Sequence, residues 1–219
     1  YVTHDVSSVR SFCDKAIWIN EGELISYGDV VHITSAYLEY MHQDGKELKR
    51  TGVESSLDGN VDIVETAFDP ITRWGSRPEL IKSVELFNQK GQKADQILFG
   101  ETMTFSYVFH IPKDIDTKDL SAALAIKHSS GLDLLVSTTY DEGITFEKND
   151  CHVRVEFEFT NYLNTGNYVV ASSIEYRGNG EPEYFDFIEG SKYFQVVTNE
   201  KRYGLVNLPT KHNVHVLSN

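Results

Sequence analysis

After Pro70 the chain is a succession of short β-prone segments separated by turn residues, and this repetition constrains the fold more than any other feature. About nine such segments follow one another at even spacing, with turns such as SSG, DEG and LNTGN between them and no convincing helix. Evenly spaced short strands of this kind are typical of two antiparallel sheets packed face to face. The sequence therefore predicts an antiparallel β-sandwich.

Alternating side chains predict which face of each strand is buried. In the segments MTFSYVFHI and HVRVEFEF every second residue is large and apolar, and in the second segment the residues between them are charged. Because successive side chains of a strand point to opposite faces, each of these strands has one core face, and HVRVEFEF also has a charged face in contact with water. The predicted core residues are Met103, Phe105, Tyr107, Phe109, Val153, Val155, Phe157 and Phe159.

Two further segments, LSAALAIKH and YVVASSIEY, carry small residues where an exposed strand face usually carries large polar ones. If Leu124, Ile126, Val170 and Ile174 point inward, the outward positions are Ala-rich, and alanine is disfavoured in strands. Such a face is either a shallow ligand trough or a surface covered by another strand, a linker or a second subunit. The outward residues are Ala123, Ala125, Lys127, Val169, Ala171, Ser173 and Glu175.

The first 41 residues have a different character and predict a small α+β unit. Asp5 can cap a short helix with Val6, Val9 and Phe12 on one face, and Asp29 can cap a second helix. Between them, AIWIN and LISY flank a glycine turn and predict a hairpin.

A polar, glycine-containing segment separates this unit from the β-rich part and predicts a flexible connector. We therefore divide the chain into a unit at residues 1–41, a connector at 42–72, a sandwich at 73–200 and a tail at 201–219.

Composition restricts the partners. Acidic residues outnumber basic ones by 33 to 20, which gives a net charge of -13, so nucleic acid is excluded as a partner, whereas a neutral, hydroxyl-rich ligand is not repelled.

Cys13 and Cys151 stand in no metal or disulfide motif, so we expect two buried thiols, a reducing compartment and no metal site. No apolar run approaches the ~18 residues of a membrane span, and no signal peptide precedes the unit, so we expect a cytoplasmic location. The chain does not begin with Met, and we expect it to be a piece of a longer protein.

The beginning of the chain, YVTHD followed by SSVRSFCDKAIWINEGELISYGD, resembles the C-terminal end of the ATP-binding subunit of ABC transporters. The resemblance implies that His4 is the switch-loop histidine that contacts the γ-phosphate of ATP. No GxxxxGK[ST] phosphate loop occurs in the 219 residues, so we expect no ATPase activity and no cofactor in this chain by itself, with ATP and Mg²⁺ bound by the full-length protein.

The β-rich part resembles the C-terminal extension of the ATP-binding subunit of O-antigen polysaccharide ABC exporters, the Wzt type. The residues that carry the resemblance are RWGS at 73–76, IKSVELFNQKGQ at 81–92, FGE at 99–101 and the LNTGNY turn at 163–168. It implies an immunoglobulin-like sandwich that binds the modified non-reducing end of the lipid-linked glycan and so licenses its export. It also implies a transmembrane permease as partner, a homodimer and a location at the inner membrane.

Sugar binding needs hydrogen-bonding groups and an apolar face in a concavity, and the alanine-lined face offers these features. We predict no catalytic or metal-binding residue in this chain, and Trp74 is expected to fill the core. The predicted carbohydrate-binding residues are Lys127, Ser173, Glu175, Ala125, Ala171, Gln195, Tyr193, His128 and Arg177.

Two alternatives to glycan binding remain. The sandwich is an assembly module whose free strand edges pair with a second copy, or it is a glycoside hydrolase with two carboxylates facing each other across a cleft. Acidic residues for the second alternative are Glu175, Glu181, Glu183 and Asp186.

Overall fold

The computed structural model describes residues 1–42 and 72–215. The described part is an N-terminal unit of two helices and a hairpin, followed by two facing β-sheets. Residues 43–71 of the predicted connector and residues 216–219 of the predicted tail lie outside the described residues. Among the described helices, none is long and apolar enough to span a membrane.

The N-terminal unit has the elements that the sequence predicts. Asp29 starts the second helix, since its Oδ1 accepts hydrogen bonds from the amides of Val31 at 2.9 Å and His32 at 3.3 Å. Trp18 from the hairpin is buried against the rings of Tyr37 and Tyr40, and this contact holds the hairpin on the second helix. The elements are α1 (Val6–Phe12), β1 (Lys15–Asn20), β2 (Glu23–Asp29) and α2 (Val30–His42).

The larger sheet has six strands. Its order is β3-β11-β10-β7-β8, with β5 pairing β11 as well, and every pairing is antiparallel except the one between β5 and β11. The strands are β3 (Thr72–Trp74), β5 (Gln96–Leu98), β7 (Leu120–His128), β8 (Asp133–Thr138), β10 (Gly166–Tyr176) and β11 (Glu183–Val197).

The smaller sheet has three antiparallel strands in the order β4-β6-β9. Its strands are β4 (Ile81–Phe87), β6 (Thr102–Ile111) and β9 (Cys151–Thr160). It faces the larger sheet, so the predicted antiparallel sandwich is confirmed.

The core lies between the sheets and is formed by the residues that alternation assigns to it. Leu124, Ile126, Val170 and Ile174 are fully buried, which confirms the predicted faces of β7 and β10. Burying one such side chain contributes about 1.5 to 3 kcal/mol, so these layers supply much of the stability of the sandwich. The fully buried residues of β6 are Met103, Phe105, Tyr107, Phe109 and Ile111.

Three details differ from the prediction. The segments YFDFI and KYFQVV form one long strand, β11, because Gly190 takes a φ of 87° and allows a bulge instead of a break. The short strands β3 and β5 were not foreseen. Cys13 and Cys151 are free but only half-buried, so the prediction of two buried thiols is wrong.

Candidate functional site

The alanine-lined face predicted on the larger sheet is present, and we call it the alanine trough (Ala123, Ala125, Ala171 and Ser173). Ala171 lies opposite Ala125, and Ser173 lies opposite Ala123 in the next row. Ala123, Ala171 and Ser173 are only 7%, 2% and 3% exposed, and Ala125 is half-buried. The floor of the trough is therefore mostly closed to solvent.

One end of the alanine trough is formed by Glu175, whose two oxygens already have partners. Ser173 Oγ donates to Glu175 Oε2 at 3.1 Å, and Arg177 Nε donates to Oε1 at 2.6 Å. Burial and the charge of Glu175 raise the pKa of the neighbouring Tyr184 to about 12, so this phenol stays protonated. Three predicted site residues, Ser173, Glu175 and Arg177, thus come together, but they are bonded to one another.

The other end of the alanine trough is formed by Lys127, which is 7% exposed. Its Nζ lies 2.8 Å from Asp133 and 3.6 Å from Glu189, the residue opposite Ala171 on β11. Arg10 of the N-terminal unit reaches the same Glu189 carboxylate at 2.8 Å. This end of the trough is therefore where the N-terminal unit contacts the sandwich.

The remaining predicted residues lie on both faces of the larger sheet. Tyr193 and Gln195 are exposed on the outer side of β11, and Gln195 accepts a hydrogen bond from the side chain of Gln96 at 2.9 Å. His128 lies on the opposite side of β7 from Lys127, with its ring 6.2 Å from the buried ring of Tyr168. Tyr193 and Gln195 thus share the outer face of the larger sheet with the trough, and Tyr193 lies in the same row as Val169 and Lys127, whereas His128 lies on the inner face.

The carboxylates suggested for a hydrolase do not face each other. Asp186 is fully buried on the inner side of β11 and accepts hydrogen bonds from Arg73 and from the amide of Ile81. Glu175 lies on the outer side of the same sheet, and Glu183 is exposed and bonded to Asn179. The two buried acids are thus separated by the sheet itself, and each is neutralised by an arginine.

Trp74 is buried, as expected, but outside the core between the sheets. Its ring stacks on Phe187 with centroids 4.7 Å apart and meets Tyr184 edge-on at 5.0 Å. This aromatic cluster fixes β3 to the end of β11.

A second concave surface lies on the outer face of the smaller sheet, and we call it the outer groove. Its residues fall into three rows across β4, β6 and β9, and it encloses about 610 Å³. The rows are Phe87, Thr104 and Glu158, then Glu85, Ser106 and Glu156, then Ser83, Val108 and Arg154.

The side chains of the outer groove combine the groups that sugars require. Hydroxyls lie along its centre, carboxylates and a guanidinium lie along β9, and the half-buried ring of Phe87 lies at one edge. Only part of this polar surface is used internally, since Glu85 pairs with Lys93 at 2.8 Å and Thr104 donates to Glu158 at 3.5 Å. Within the described ranges, Arg154 and Glu156 have no ion-pair partner.

The outer groove could not be identified from single strands. The outward residues of HVRVEFEF have the pattern of an ordinary solvent-exposed face, and the structure confirms that they are exposed. Their significance depends on the neighbouring hydroxyls of β6 and β4, and the order β4-β6-β9 brings strands together that are far apart in sequence.

A third cavity, of about 810 Å³, opens between the two sheets along β8 and β9, and we call it the seam. Its walls include inward-facing residues of both sheets, such as Leu135 and Phe159, and two residues of the tail, Val206 and Leu208. Leu135 is still 38% exposed although it faces inward, so the sandwich is not closed here.

No group of three or more potential metal ligands lies together in residues 1–42 and 72–215.

Comparison with known proteins gives three findings. A family model described as the Wzt C-terminal domain matches residues 71–208. Proteins named teichoic acids export ATP-binding protein TagH are similar over parts of the chain: that of Bacillus anthracis is 34% identical over 58 residues, which are 26% of this chain and 10% of that protein. That of Enterococcus faecalis is 25% identical over 114 residues, which are 46% and 24% of the two chains.

The chain thus spans no more than about a quarter of the length of these curated relatives. A solved structure described as the crystal structure of the C-terminal domain of wzt has a TM-score of 0.56 and 18% identity, and the match covers 66% of this chain and 88% of that one. This structural similarity supports the sandwich fold.

Proposed function

The chain belongs to the Wzt C-terminal domain family, and from this premise we propose that its sandwich binds the end of a cell-surface glycan through the outer groove. The bound chain end is the modified non-reducing terminus of a lipid-linked polysaccharide such as O-antigen, and its binding licenses export. The related TagH proteins are named for teichoic acid export, which supports an exported polysaccharide as the ligand.

The observation that carries this proposal is the difference between the two concave faces of the sandwich. The alanine trough is mostly buried, and its Glu175 and Lys127 are ion-paired inside the protein. The outer groove instead exposes Arg154 and Glu156 beside hydroxyls and an aromatic edge. A sugar can exchange its hydration shell for these groups without breaking a buried ion pair.

Titration of the protein with oligosaccharides that keep their native non-reducing ends tests the assignment. We expect Arg154→Ala and Glu158→Ala each to weaken binding about tenfold or more, because a hydrogen bond to a charged group contributes about 1.5 to 3 kcal/mol. Binding is measured by calorimetry or by NMR shift changes.

Variants of the alanine trough test the alternative site in the same experiment. Lys127→Ala and Glu175→Ala should leave the affinity unchanged, as should the control Lys118→Ala on an exposed loop. Loss of binding in the trough variants alone would move the site to the alanine trough. Binding that no variant weakens would exclude both surfaces.

We further propose the whole-protein context in which this binding acts. The N-terminal unit is the end of an ABC nucleotide-binding domain that uses ATP and Mg²⁺, and His4, which is exposed in this chain, contacts the γ-phosphate there. The longer protein is an ATPase that works with a transmembrane permease on the cytoplasmic side of the inner membrane. The names of the TagH relatives, which are ATP-binding proteins, support this context.

The seam supports a second candidate function, assembly of two copies. Among the described strands, β8 pairs only with β7 and β9 pairs only with β6, so both edges beside the seam have backbone groups available for another strand. Apolar residues of the tail, including Leu208 at 68% exposure, lie at the same place. A strand of a second copy that entered the seam would cover them.

Sedimentation of variants distinguishes this candidate from a monomeric glycan binder. Val206→Asp with Leu208→Asp should shift a dimer towards monomer, because a charge would enter an apolar contact. Val214→Asp is the matched control, since Val214 is 89% exposed and lies outside the lining of the seam. Wild-type protein that sediments as a monomer at all concentrations would rule out assembly through the seam.

A further inference from the structure

The contact between the N-terminal unit and the sandwich centres on one buried ion pair. The guanidinium of Arg10 on α1 holds the carboxylate of Glu189 on β11 with both terminal nitrogens, at 2.8 and 3.2 Å. Both side chains are only 3% exposed. The two residues are 179 positions apart, so this pair joins the two parts of the chain.

Helix α2 completes the same contact. Arg10 Nε donates to Thr34 Oγ1 at 2.7 Å, and its Nη2 donates to Ser35 Oγ at 2.8 Å. Ser35 Oγ in turn donates to Glu189 Oε2. Both helices of the N-terminal unit therefore act on a single carboxylate of the sandwich.

The turn between β7 and β8 is shaped to admit Arg10. The carbonyl of Gly131 accepts a hydrogen bond from Arg10 Nη1 at 3.3 Å. A side chain at this position would have its Cβ only 2.8 Å from Arg10 Cδ, and Gly131 has a φ of 83°. An added Cβ would therefore crowd the Arg10 side chain, and the positive φ of the turn favours glycine by itself.

Glu189 has a second cation that belongs to the sandwich itself. Lys127 Nζ lies 3.6 Å from Glu189 Oε1 and is held at 2.8 Å by Asp133. If Arg10 withdraws, Lys127 remains beside the carboxylate and Arg10 gains water. Separation therefore leaves no buried charge without a partner, which is the condition that makes breaking most buried pairs so costly.

We propose that Glu189 forms a reversible docking latch, in which Arg10 neutralises it when the N-terminal unit is docked and Lys127 neutralises it when the unit is released. The latch makes the outer face of the larger sheet an interaction surface for the end of the nucleotide-binding unit. It does not depend on glycan binding in the outer groove, which lies on the other sheet.

Hydrogen exchange of the whole chain, followed by mass spectrometry, tests the latch. Arg10→Gln should raise exchange at α1, α2 and the β7–β8 turn at least tenfold and leave the strands of the smaller sheet unchanged. Lys127→Met should have the opposite effect and slow exchange in the same segments, because it removes the cation that stays beside Glu189 in the released state. Arg77→Gln is the matched control, since it breaks an exposed pair with Asp114 inside the sandwich.

If Arg10→Gln unfolds the N-terminal unit, Gly131→Ala provides a second test of the latch. It crowds the Arg10 side chain without changing any residue of α1 or α2, and it should raise exchange at the faces of these helices while the amides between β1 and β2 stay protected. Faster exchange of the docking segments in Lys127→Met would show a fixed structural pair and overturn the proposal. Unchanged protection in both Arg10→Gln and Gly131→Ala would overturn it as well.

Discussion

The buried carboxylate of Asp186 joins strands of the two sheets. It is fully buried, it pairs with Arg73 at 2.6 Å, and it accepts a hydrogen bond from the amide of Ile81 at 2.8 Å. These contacts tie β11, β3 and β4 together at one point, so two strands of the larger sheet are joined to the smaller one.

Asp186→Asn should therefore lower the free energy of unfolding by about 3 to 5 kcal/mol, because it leaves the charge of Arg73 without its buried partner. Urea denaturation measures the loss. Asp114→Asn, which breaks the exposed pair with Arg77, should cause little measurable change. Equal effects of the two substitutions would show that the buried pair has no structural role.

Single residues could be predicted from the sequence where their partners are close in the chain. The caps Asp5 and Asp29 bond to amides two or three residues away, and a local pattern is enough to find them. Lys127 is predicted as a ligand group because its partner Glu189 on another strand cannot be seen in the sequence, and Glu175 because its spacing from Arg177 does not reveal that the two form an ion pair. Lys127 owes part of its burial to Glu189, 62 residues further along the chain, and no single-sequence pattern reports such a contact.

At the scale of elements, the connection between β3 and β4 depends on Gly75. It has a φ of 139°, and an added Cβ would lie 2.3 Å from the carbonyl oxygen of Phe185. The amides of Ser76 and Arg77 bond to Tyr184 and Phe185 at 3.1 and 2.7 Å, so the turn is held against β11.

Gly75→Ala should destabilise the protein by more than about 2 kcal/mol, through both backbone strain and this close approach. Gly91→Ala is a suitable control, since Gly91 has a φ of 69° but no atom within 4 Å of an added Cβ, so it should cost about 1 kcal/mol. Thermal or urea unfolding gives both values. A Gly75→Ala loss no larger than that of Gly91→Ala would mean that β11 can move away.

Most strands could be predicted because their alternation is strong over many residues. β4, β7 and β8 lie within predicted segments, and β6, β9 and β10 extend theirs by only one or two residues. The short strands β3 and β5 escaped prediction because three residues carry no periodicity, and both form only beside β11. β11 itself was divided in two because glycine and serine in a strand resemble a turn, whereas here Ser191 Oγ bonds to the carbonyl of Val170 and holds the bulge within the sheet.

At the scale of the whole molecule, strand order could not be derived from the sequence, and the candidate site depends on it. The hydroxyls and charges of the outer groove lie on β4, β6 and β9, and the ends of a row such as Ser83, Val108 and Arg154 are 71 positions apart in the sequence. The same limit applies to the contact between the N-terminal unit and the sandwich. Both features arise from long-range pairing, to which local patterns contribute nothing.

The contact between the two parts of the chain should depend on pH through Glu189. Burial alone would raise the pKa of Glu189, but Arg10 from α1, Lys127 from β7 and the hydroxyl of Ser35 from α2 outweigh it, so the pKa lies below its ordinary value of 4.5. A carboxyl with a lowered pKa in the folded state contributes stability above its unfolded pKa, and this stability is lost as the pH falls through the folded value.

Urea denaturation at a series of pH values below about 5 measures this contribution. Wild-type protein should lose more stability on acidification than Glu189→Gln, which should already be less stable at neutral pH because its amide cannot neutralise Arg10. Lys127 and Asp133 remain in both proteins, so the difference between the two curves belongs to the carboxylate that faces Arg10. Parallel curves would mean that Glu189 keeps the same proton affinity in the folded and unfolded states, and the N-terminal unit would then be held by its hydroxyl contacts and not by charge.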